Sequence, residues 1–216
     1  EISKVEKTYL YVLNQIKKFV EKNQLNSNPI NSKLNNLADI YHGNFSLFQS
    51  LPDMWAIDQL HPIAPIQKLN RKPNRNVIIN DITCDSDGVI SKFVLKNGIS
   101  DTLPLHDIKN NDEYYLGVFF IGAYQETLGD LHNLFGDTNI STVKLEDNGK
   151  FKVIHEQTGD KISQVLNYVE YSSNEVLKTF TGITEKFHKK NVINSKEKNQ
   201  LLKNFKASID GYTYFE

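Results

Sequence analysis

Apolar residues recur at steps of three and four positions along residues 2–20, with Lys and Glu filling the positions between them. This spacing predicts an amphipathic helix at the start of the chain. A polar, Asn-rich break follows at residues 23–29, and a weaker repeat of the same kind predicts a second helix over residues 31–41. We therefore expect residues 1–43 to form a helical insert whose charged faces are solvated.

The pattern changes near Asn44 from helical spacing to alternating and β-branched runs, which favour strands. Asp147-Asn148-Gly149 separates two such runs and is a strong hairpin signal. Strands at this spacing indicate a small antiparallel sandwich or barrel, which we place at residues 44–160. The predicted strands lie at residues 44–48, 77–82, 89–95, 114–121, 142–146 and 151–155, and 114–121 has the most buried character of them.

Helical spacing returns in the last quarter of the chain, where apolar residues share faces at 162–169, 176–183 and 201–209. The end of the chain, residues 212–215, is unusually aromatic, so we expect it to dock rather than remain free. Residues 161–216 are thus predicted to be a C-terminal helical extension. The expected class is α+β, with a β-domain flanked by helices on both sides.

Composition narrows the function classes. The 216 residues are 39% hydrophobic and carry a formal net charge of −1, so no basic excess points to nucleic acid or to a membrane surface. The single cysteine cannot form an internal disulfide, which favours a reducing, cytoplasmic setting. Because the chain begins at Glu1 rather than Met, we expect it to be a piece of a longer protein.

The most informative segment is Thr83-Cys84-Asp85-Ser86-Asp87-Gly88, which places the thiol beside two carboxylates on a turn closed by glycine. Carboxylates suit a positively charged ligand, and their repulsion disfavours the thiolate, so the thiol is suited to donate a proton. The alternatives are a packing cysteine and acids that merely cap a turn. A calcium loop is a further alternative, but the remaining ligands of such a loop are missing.

A second candidate is Gly122-Ala123-Tyr124-Gln125-Glu126, between an apolar run and an expected helix. Small residues at a helix start admit close approach of an anion, and Tyr124 would direct its hydroxyl to it. An ordinary turn with a core tyrosine explains the segment equally well. His132 and His155 are too isolated to predict a metal site, and no spacing supports a dyad of either with Cys84.

Four segments resemble the bacterial biosynthetic arginine decarboxylase family, and the likeness covers residues 44–216. The segments are 44–55, 81–88, 122–138 and 211–214. The resemblance implies the pyridoxal-phosphate decarboxylase fold shared with ornithine, lysine and diaminopimelate decarboxylases. Members pair an N-terminal (β/α)₈ barrel, for which this chain has no matching segment, with a C-terminal β-domain, and their active site lies between the barrel of one subunit and the β-domain of another.

Residue roles follow from the resemblance alone. Cys84 matches the cysteine that protonates the substrate carbon after CO₂ departs, and Asp85 matches the acid that pairs with the guanidinium. Asp87 is expected to assist Asp85, Asp53 to lie near the far end of the substrate, and Tyr124 to lie near the cofactor phosphate.

The implied reaction is conversion of L-arginine to agmatine and CO₂ for putrescine and spermidine synthesis, in a cytoplasmic homodimer or higher homo-oligomer. The implied cofactor is pyridoxal phosphate, whose Schiff-base lysine lies outside this chain, so this portion alone is expected to be inactive. A magnesium requirement is attributed to the family, but no ligand set stands out. The alternatives are a decarboxylase of another basic amino acid (ornithine, lysine or diaminopimelate) and a non-catalytic regulatory homologue.

Overall fold

The computed structural model describes residues 2–23, 38–109 and 112–215. The helices are α1 (Ile2–Lys22), α2 (Leu47–Ser50), α3 (Pro52–Ala56), α4 (Tyr124–Thr127), α5 (Ile162–Tyr168), α6 (Ser173–Lys189) and α7 (Ser195–Ile209), with a 3₁₀ turn at His132–Leu134. The strands are β1 (Asp39–His42), β2 (Ile63–Pro65), β3 (Arg75–Asn80), β4 (Val89–Ile90), β5 (Phe93–Leu95), β6 (Gly98–Ser100), β7 (Leu103–Leu105), β8 (Leu116–Val118), β9 (Ile140–Leu145) and β10 (Phe151–Gln157).

The chain divides into two compact units, each built from several segments. The first unit comprises residues 1–43, 56–81 and 89–121, and the second comprises residues 44–55, 82–88 and 122–216. The second unit therefore contains every residue that the sequence singles out as a site candidate.

The first unit is organised around β3. This strand pairs in parallel with β1, and antiparallel with β4 and β7. Two further antiparallel pairs, β2–β8 and β5–β6, complete its strands in the described part of the chain. Val77 and Leu105 are fully buried and Phe93 is 1% exposed, so the apolar core lies along β3, β5 and β7.

The second unit combines short helices, one hairpin and three longer helices. Its apolar core includes Leu47, Phe48 and Val165, each at most 3% exposed. The β9–β10 hairpin closes through a turn in which Gly149 has a φ of 79°, a left-handed conformation that glycine adopts without strain.

The helices α6 and α7 are capped and packed as their sequences direct. The Ser172 hydroxyl accepts from the Glu175 N–H at 3.4 Å, and Asn194 and Glu197 form a reciprocal capping box at the start of α7. The rings of Phe180 and Phe205 stack with 3.9 Å between centroids, which fixes α6 against α7.

The prediction of an α+β chain is confirmed, since mixed helices and mainly antiparallel strands alternate along it. The helix at 2–20, the 142–155 hairpin and the three C-terminal helices are confirmed. The described strands form one four-stranded sheet and three pairs, and they do not close into a barrel. The division at residues 43 and 160 stays a prediction.

Three local predictions are wrong or only partly assessable. Residues 47–50 form α2 rather than a strand, because the Ser46 hydroxyl accepts from the Gln49 N–H and caps a helix there. The β8 region is not deeply buried, since Phe120 is 89% exposed. Most of the helix predicted at 31–41 lies outside the described residues, and Asp39–His42 is a strand.

The aromatic terminus docks as expected. The Tyr214 ring stacks on Phe135, and its buried hydroxyl donates to the Gly136 carbonyl at 2.9 Å. None of the helices in the described ranges is long and apolar enough to cross a membrane.

Candidate functional site

The segment that carries Cys84 is a loop of residues 82–88, which follows β3 and leads into β4. The Asp87 N–H donates to Asp85 Oδ1 at 2.9 Å, and the Gly88 N–H donates to the Asp85 carbonyl at 3.2 Å. These bonds make an Asp-capped turn, which is the conformation that Asp-x-Asp-Gly favours. At its start, the Ile82 N–H donates to the Phe45 carbonyl at 3.1 Å.

The tip of this loop rests against the 3₁₀ turn at His132–Leu134. The Cys84 N–H donates to Asn133 Oδ1 at 3.0 Å, and the Cys84 side chain is exposed. His132 Nε2 lies 3.5 Å from Asp85 Oδ2, with both side chains about one third exposed, at 31% and 35%. The thiol is thus accessible while the main chain beneath it is fixed.

The other end of the loop contacts α3. Trp55 Nε1–H donates to Asp87 Oδ2 at 3.4 Å, and the Trp55 ring packs edge-on against Phe48 at 5.2 Å between centroids. Asp53 is half-buried in the first turn of α3. The Asp87 carboxylate therefore has an indole donor on a helix that is itself held by the core.

Tyr124 begins α4 and is 77% exposed. The residue after it, Gln125, is 4% exposed, and its Oε1 accepts from the Asp53 N–H at 3.2 Å. This bond ties the start of α4 to the start of α3, and so places Tyr124 and Asp53 on connected elements.

A chain of direct contacts in the second unit thus joins the elements carrying all five sequence-predicted residues: Cys84, Asp85, Asp87, Asp53 and Tyr124. The side chains of Cys84 and Tyr124 are both exposed. The roles of the five residues stay predictions.

The sequence reasoning missed two residues. The spacing of His132 predicts neither a metal site nor a dyad with Cys84, and in the structure its Nε2 atom faces Asp85. Asn133 has no predicted role, although its side chain accepts the Cys84 N–H. Each contact spans more than 45 positions of the printed sequence, so no local pattern could have indicated it.

A second acidic cluster lies in the same unit, in a cavity of about 270 Å³ lined by Gln49, Glu126, Gly129, Leu131, Asp137, Asp160, Gln164, Val165 and Tyr168. Gln49 Nε2–H donates to Asp137 Oδ1 at 2.6 Å, and the Asp137 N–H donates to Asp160 Oδ2 at 3.0 Å. Burial, then the charges of Asp160 and Glu126, raise the pKa of Asp137 above its ordinary value.

No group of three or more His, Cys, Asp or Glu side chains among the described residues could hold a metal ion. The magnesium expectation therefore has no ligand set in that part of the chain. The exposed Tyr124 hydroxyl at the start of α4 is a donor of the kind that a phosphate group accepts from.

Both a family model and the sequences of known proteins relate this chain to arginine decarboxylases. Residues 162–215 match the model of the arginine decarboxylase C-terminal helical extension. The biosynthetic arginine decarboxylase of Phocaeicola vulgatus is 48% identical over 180 residues, which are 83% of this chain and 28% of that protein. That of Pelobacter propionicus is 45% identical over 210 residues, which are 95% of this chain and 32% of that protein.

The crystal structure of the biosynthetic arginine decarboxylase of Campylobacter jejuni superposes with a TM-score of 0.72 at 28% identity, covering 97% of this chain and 36% of that one. The chain spans only about a third of the length of the curated relatives it matches, at 28% and 32%. On these similarities, the chain belongs to the biosynthetic arginine decarboxylase family and carries the C-terminal helical extension of its members.

Proposed function

We propose that this chain supplies the proton donor and the guanidinium-binding carboxylates of an enzyme that converts L-arginine to agmatine and CO₂ in polyamine synthesis. One observation carries the proposal: a single loop presents the exposed Cys84 thiol next to the fixed carboxylate of Asp85. The names of the relatives support the choice of arginine as substrate.

The carboxylate arrangement suits a planar cation. Asp85 Oδ1 is fixed by the Asp87 N–H, and Asp87 Oδ2 is fixed by the Trp55 indole, which leaves further lone pairs on both groups. A guanidinium offers several N–H donors in one plane and can bond two carboxylate oxygens at once. Asp53, at the start of α3, is proposed to lie toward the same end of the substrate.

The Cys84 thiol is proposed to act on the reacting carbon, whereas the carboxylates bind the guanidinium. Decarboxylation breaks the bond between the α-carbon and the carboxylate, and the electron pair left on the α-carbon must accept a proton before agmatine can leave. Pyridoxal phosphate, when bound, supplies the electron-withdrawing ring that makes this bond cleavage accessible. We assign Cys84 Sγ–H as the donor of that proton, after which solvent reprotonates the thiolate.

The Tyr124 hydroxyl is proposed to donate one hydrogen bond to the phosphate of the cofactor, from the exposed start of α4. The Schiff-base lysine and the other cofactor contacts belong to the barrel domain of the full-length protein. By this proposal the chain alone does not decarboxylate arginine.

The direct test uses the full-length enzyme that contains this chain. CO₂ release is measured with arginine, ornithine, lysine and diaminopimelate, and arginine is expected to be strongly preferred. Cys84→Ala is expected to bind cofactor normally but to lower agmatine formation by roughly 10²-fold or more, the loss typical of a removed general acid. Normal turnover by Cys84→Ala, or a preference for another amino acid, would contradict the proposal.

We further propose that Cys84 serves the barrel of a partner subunit in a homo-oligomer. Mixing Cys84→Ala enzyme with a variant that lacks the cofactor lysine is then expected to restore on the order of a quarter of wild-type activity, because half of randomly formed dimers are hybrids and each has one intact site. Hybrids that stay inactive would indicate that Cys84 acts within its own subunit.

A further inference from the structure

Two successive residues of the 3₁₀ turn contact two successive residues of the site loop, in opposite order. Asn133 Oδ1 accepts the Cys84 N–H at 3.0 Å, and His132 Nε2 lies 3.5 Å from Asp85 Oδ2. Here each contact falls on a different chemical group of the site, the main chain at the thiol and the carboxylate beside it.

The backbone of the turn is strained. Asn133 and Leu134 have φ values of 56° and 64°, so two consecutive residues with side chains occupy the left-handed region. This conformation costs energy for any residue with a Cβ, although Asn tolerates it better than Leu, and it persists only where the surroundings impose it. The strain at Asn133 coincides with the one position whose carboxamide reaches the Cys84 main chain.

Main-chain hydrogen bonds and a ring contact hold the turn in this conformation. The Asp130 N–H donates to the Phe48 carbonyl at 3.0 Å just before the turn, and the Leu134 N–H donates to the Leu131 carbonyl at 2.8 Å. The Phe48 ring, 3% exposed, lies 4.5 Å from the His132 ring between centroids. The imidazole therefore packs at a tilt against a core ring, while its Nε2 atom lies 3.5 Å from Asp85 Oδ2.

His132 faces Asp85 at ion-pair distance without a hydrogen bond between them. Its Nε2 atom is buried without a hydrogen-bond partner in the described part of the chain, and Asp85 Oδ2 is the acidic oxygen it faces. Asp85 Oδ1 is already fixed by the Asp87 N–H. The imidazole thus limits rotation of the carboxylate that the loop alone holds by a single oxygen.

We propose that the His132–Asn133 turn is a positioning device for the site, in which Asn133 sets the main chain at the proton donor and His132 sets the orientation of the substrate-binding carboxylate. This inference rests on the proposed function for the roles of Cys84 and Asp85. Neither His132 nor Asn133 is assigned contact with the substrate.

The test compares two pairs of variants in the full-length enzyme. Asn133→Gly removes the amide acceptor but relieves the left-handed strain, so it does not impair folding. Asn191→Gly is its matched control, because Asn191 also has a φ of 56° and lies far along the chain, in the turn after α6. His132→Phe keeps an aromatic ring against Phe48 but removes the nitrogens, and His155→Phe is its control at an exposed position of β10.

The expected results differ between the two positions. Asn133→Gly lowers kcat for arginine by about 10-fold with KM within about twofold, since it loosens the proton donor. His132→Phe raises KM by about 5- to 20-fold with kcat largely kept, since it loosens the substrate-binding carboxylate. His132→Gln, which returns a side-chain N–H donor, recovers most of the lost affinity. The proposal is overturned if Asn133→Gly and His132→Phe change kcat and KM in the same way, or if neither variant changes either constant.

A second readout does not depend on the reaction. Hydrogen exchange of the peptide covering residues 83–88 is expected to be about fivefold faster or more in Asn133→Gly than in Asn191→Gly, because the Cys84 amide loses its acceptor. If the wild-type enzyme fails to decarboxylate arginine, the proposed function falls, and this exchange still decides whether the turn holds the loop. Unchanged exchange overturns the positioning role whatever the substrate.

Discussion

The second unit presents two acidic regions that differ in what surrounds their carboxylates. On the site loop, Asp85 is half-buried and Asp87 is exposed, and each has a fixed donor on one oxygen, a main-chain N–H and an indole N–H. In the cavity, Asp137 and Asp160 lie together with Glu126, and burial raises the pKa of Asp137. The first arrangement orients negative charge toward solvent, whereas the second confines it.

Because of this difference, we expect the two regions to have different roles. A carboxylate that is oriented and still in contact with solvent can exchange water for a cationic substrate. A confined carboxylate with like charges beside it opposes folding when ionised, so its protonation is coupled to stability. Substitutions on the loop should therefore change kinetics, and substitutions at the cavity should change stability and its dependence on pH.

The largest expected effect is on substrate binding by the loop. Asp85→Asn in the full-length enzyme keeps an oxygen that accepts the Asp87 N–H but removes the charge. Loss of the partner of a desolvated guanidinium costs about 3–5 kcal/mol, which is more than roughly 100-fold in kcat/KM for arginine. Steady-state kinetics check this, with Asp87→Asn as the companion variant, for which we expect a smaller loss. Equal kcat/KM for Asp85→Asn and wild type would contradict the role of Asp85.

The hairpin and the helices of the second unit show how much of the fold could be predicted from the sequence. The hairpin around Asp147-Asn148-Gly149 and the helices α6 and α7 follow from local signals, namely turn residues, caps and apolar spacing. The helix α2 has a local signal as well, the Ser46 cap with Gln49 three residues later, but it competes with an alternating apolar pattern that favours a strand. Local signals therefore predict an element where they agree, and they mislead where a cap and the apolar spacing of the same few residues disagree.

The residues of the candidate site could be predicted, but not the contacts that hold them. One hexapeptide contains Cys84, Asp85 and Asp87, and their roles follow from the family resemblance. What holds that hexapeptide in place was not predictable, because His132 and Asn133 reach it only through the fold. The left-handed conformation of Leu134 had no sequence signal either, since Leu is among the residues that adopt it least readily.

The second expected effect is on the close packing beside the cavity. A Cβ added at Gly159 would clash with the Asp137 carbonyl oxygen and would approach the Tyr212 ring to 2.6 Å, whereas Gly159 itself is buried. Gly159→Ala is therefore expected to destabilise the chain by about 1–3 kcal/mol through forced backbone movement. Urea denaturation measures it, and Gly182→Ala, in α6 with open space around its Cβ, is the control that should not destabilise. A stable Gly159→Ala chain would mean that this approach is not tightly constrained.

A smaller effect is expected at the exposed start of α4. Tyr124→Phe in the full-length enzyme removes the hydroxyl proposed to bond the cofactor phosphate, a loss of about 0.5–1.5 kcal/mol in cofactor affinity. Because Tyr124 is 77% exposed, its replacement should leave the thermal stability of the cofactor-free protein unchanged. Cofactor titration by absorbance gives the affinity, and Tyr168→Phe, at another exposed tyrosine, is the matched control. Equal cofactor affinity in Tyr124→Phe and Tyr168→Phe would remove Tyr124 from the cofactor site.

The smallest expected effect is a dependence of the unfolding free energy on pH, caused by Asp137 at the cavity. The pKa of Asp137 is raised in the folded state from an ordinary value of 3.8, so the folded chain binds more protons than the unfolded chain between these two values. The unfolding free energy must then fall as pH rises through the raised pKa, and the penalty is fully present above it. Asp137→Asn keeps an oxygen that accepts from Gln49 but removes the charge, so it should stabilise the chain at pH 7.

The gain is expected to be only about 0.5–1 kcal/mol, since Asp137 keeps partial contact with water and solvent weakens its repulsion by Asp160 and Glu126. At a pH below 3.8, where Asp137 is protonated in both states, wild type and Asp137→Asn should converge. Urea denaturation across this range checks both statements, and Asp87→Asn on the exposed loop is the control that should not gain stability at pH 7. A constant difference between wild type and Asp137→Asn at every pH would show that the substitution acts through packing, and the contrast between a confined and an oriented carboxylate would then lose its energetic basis.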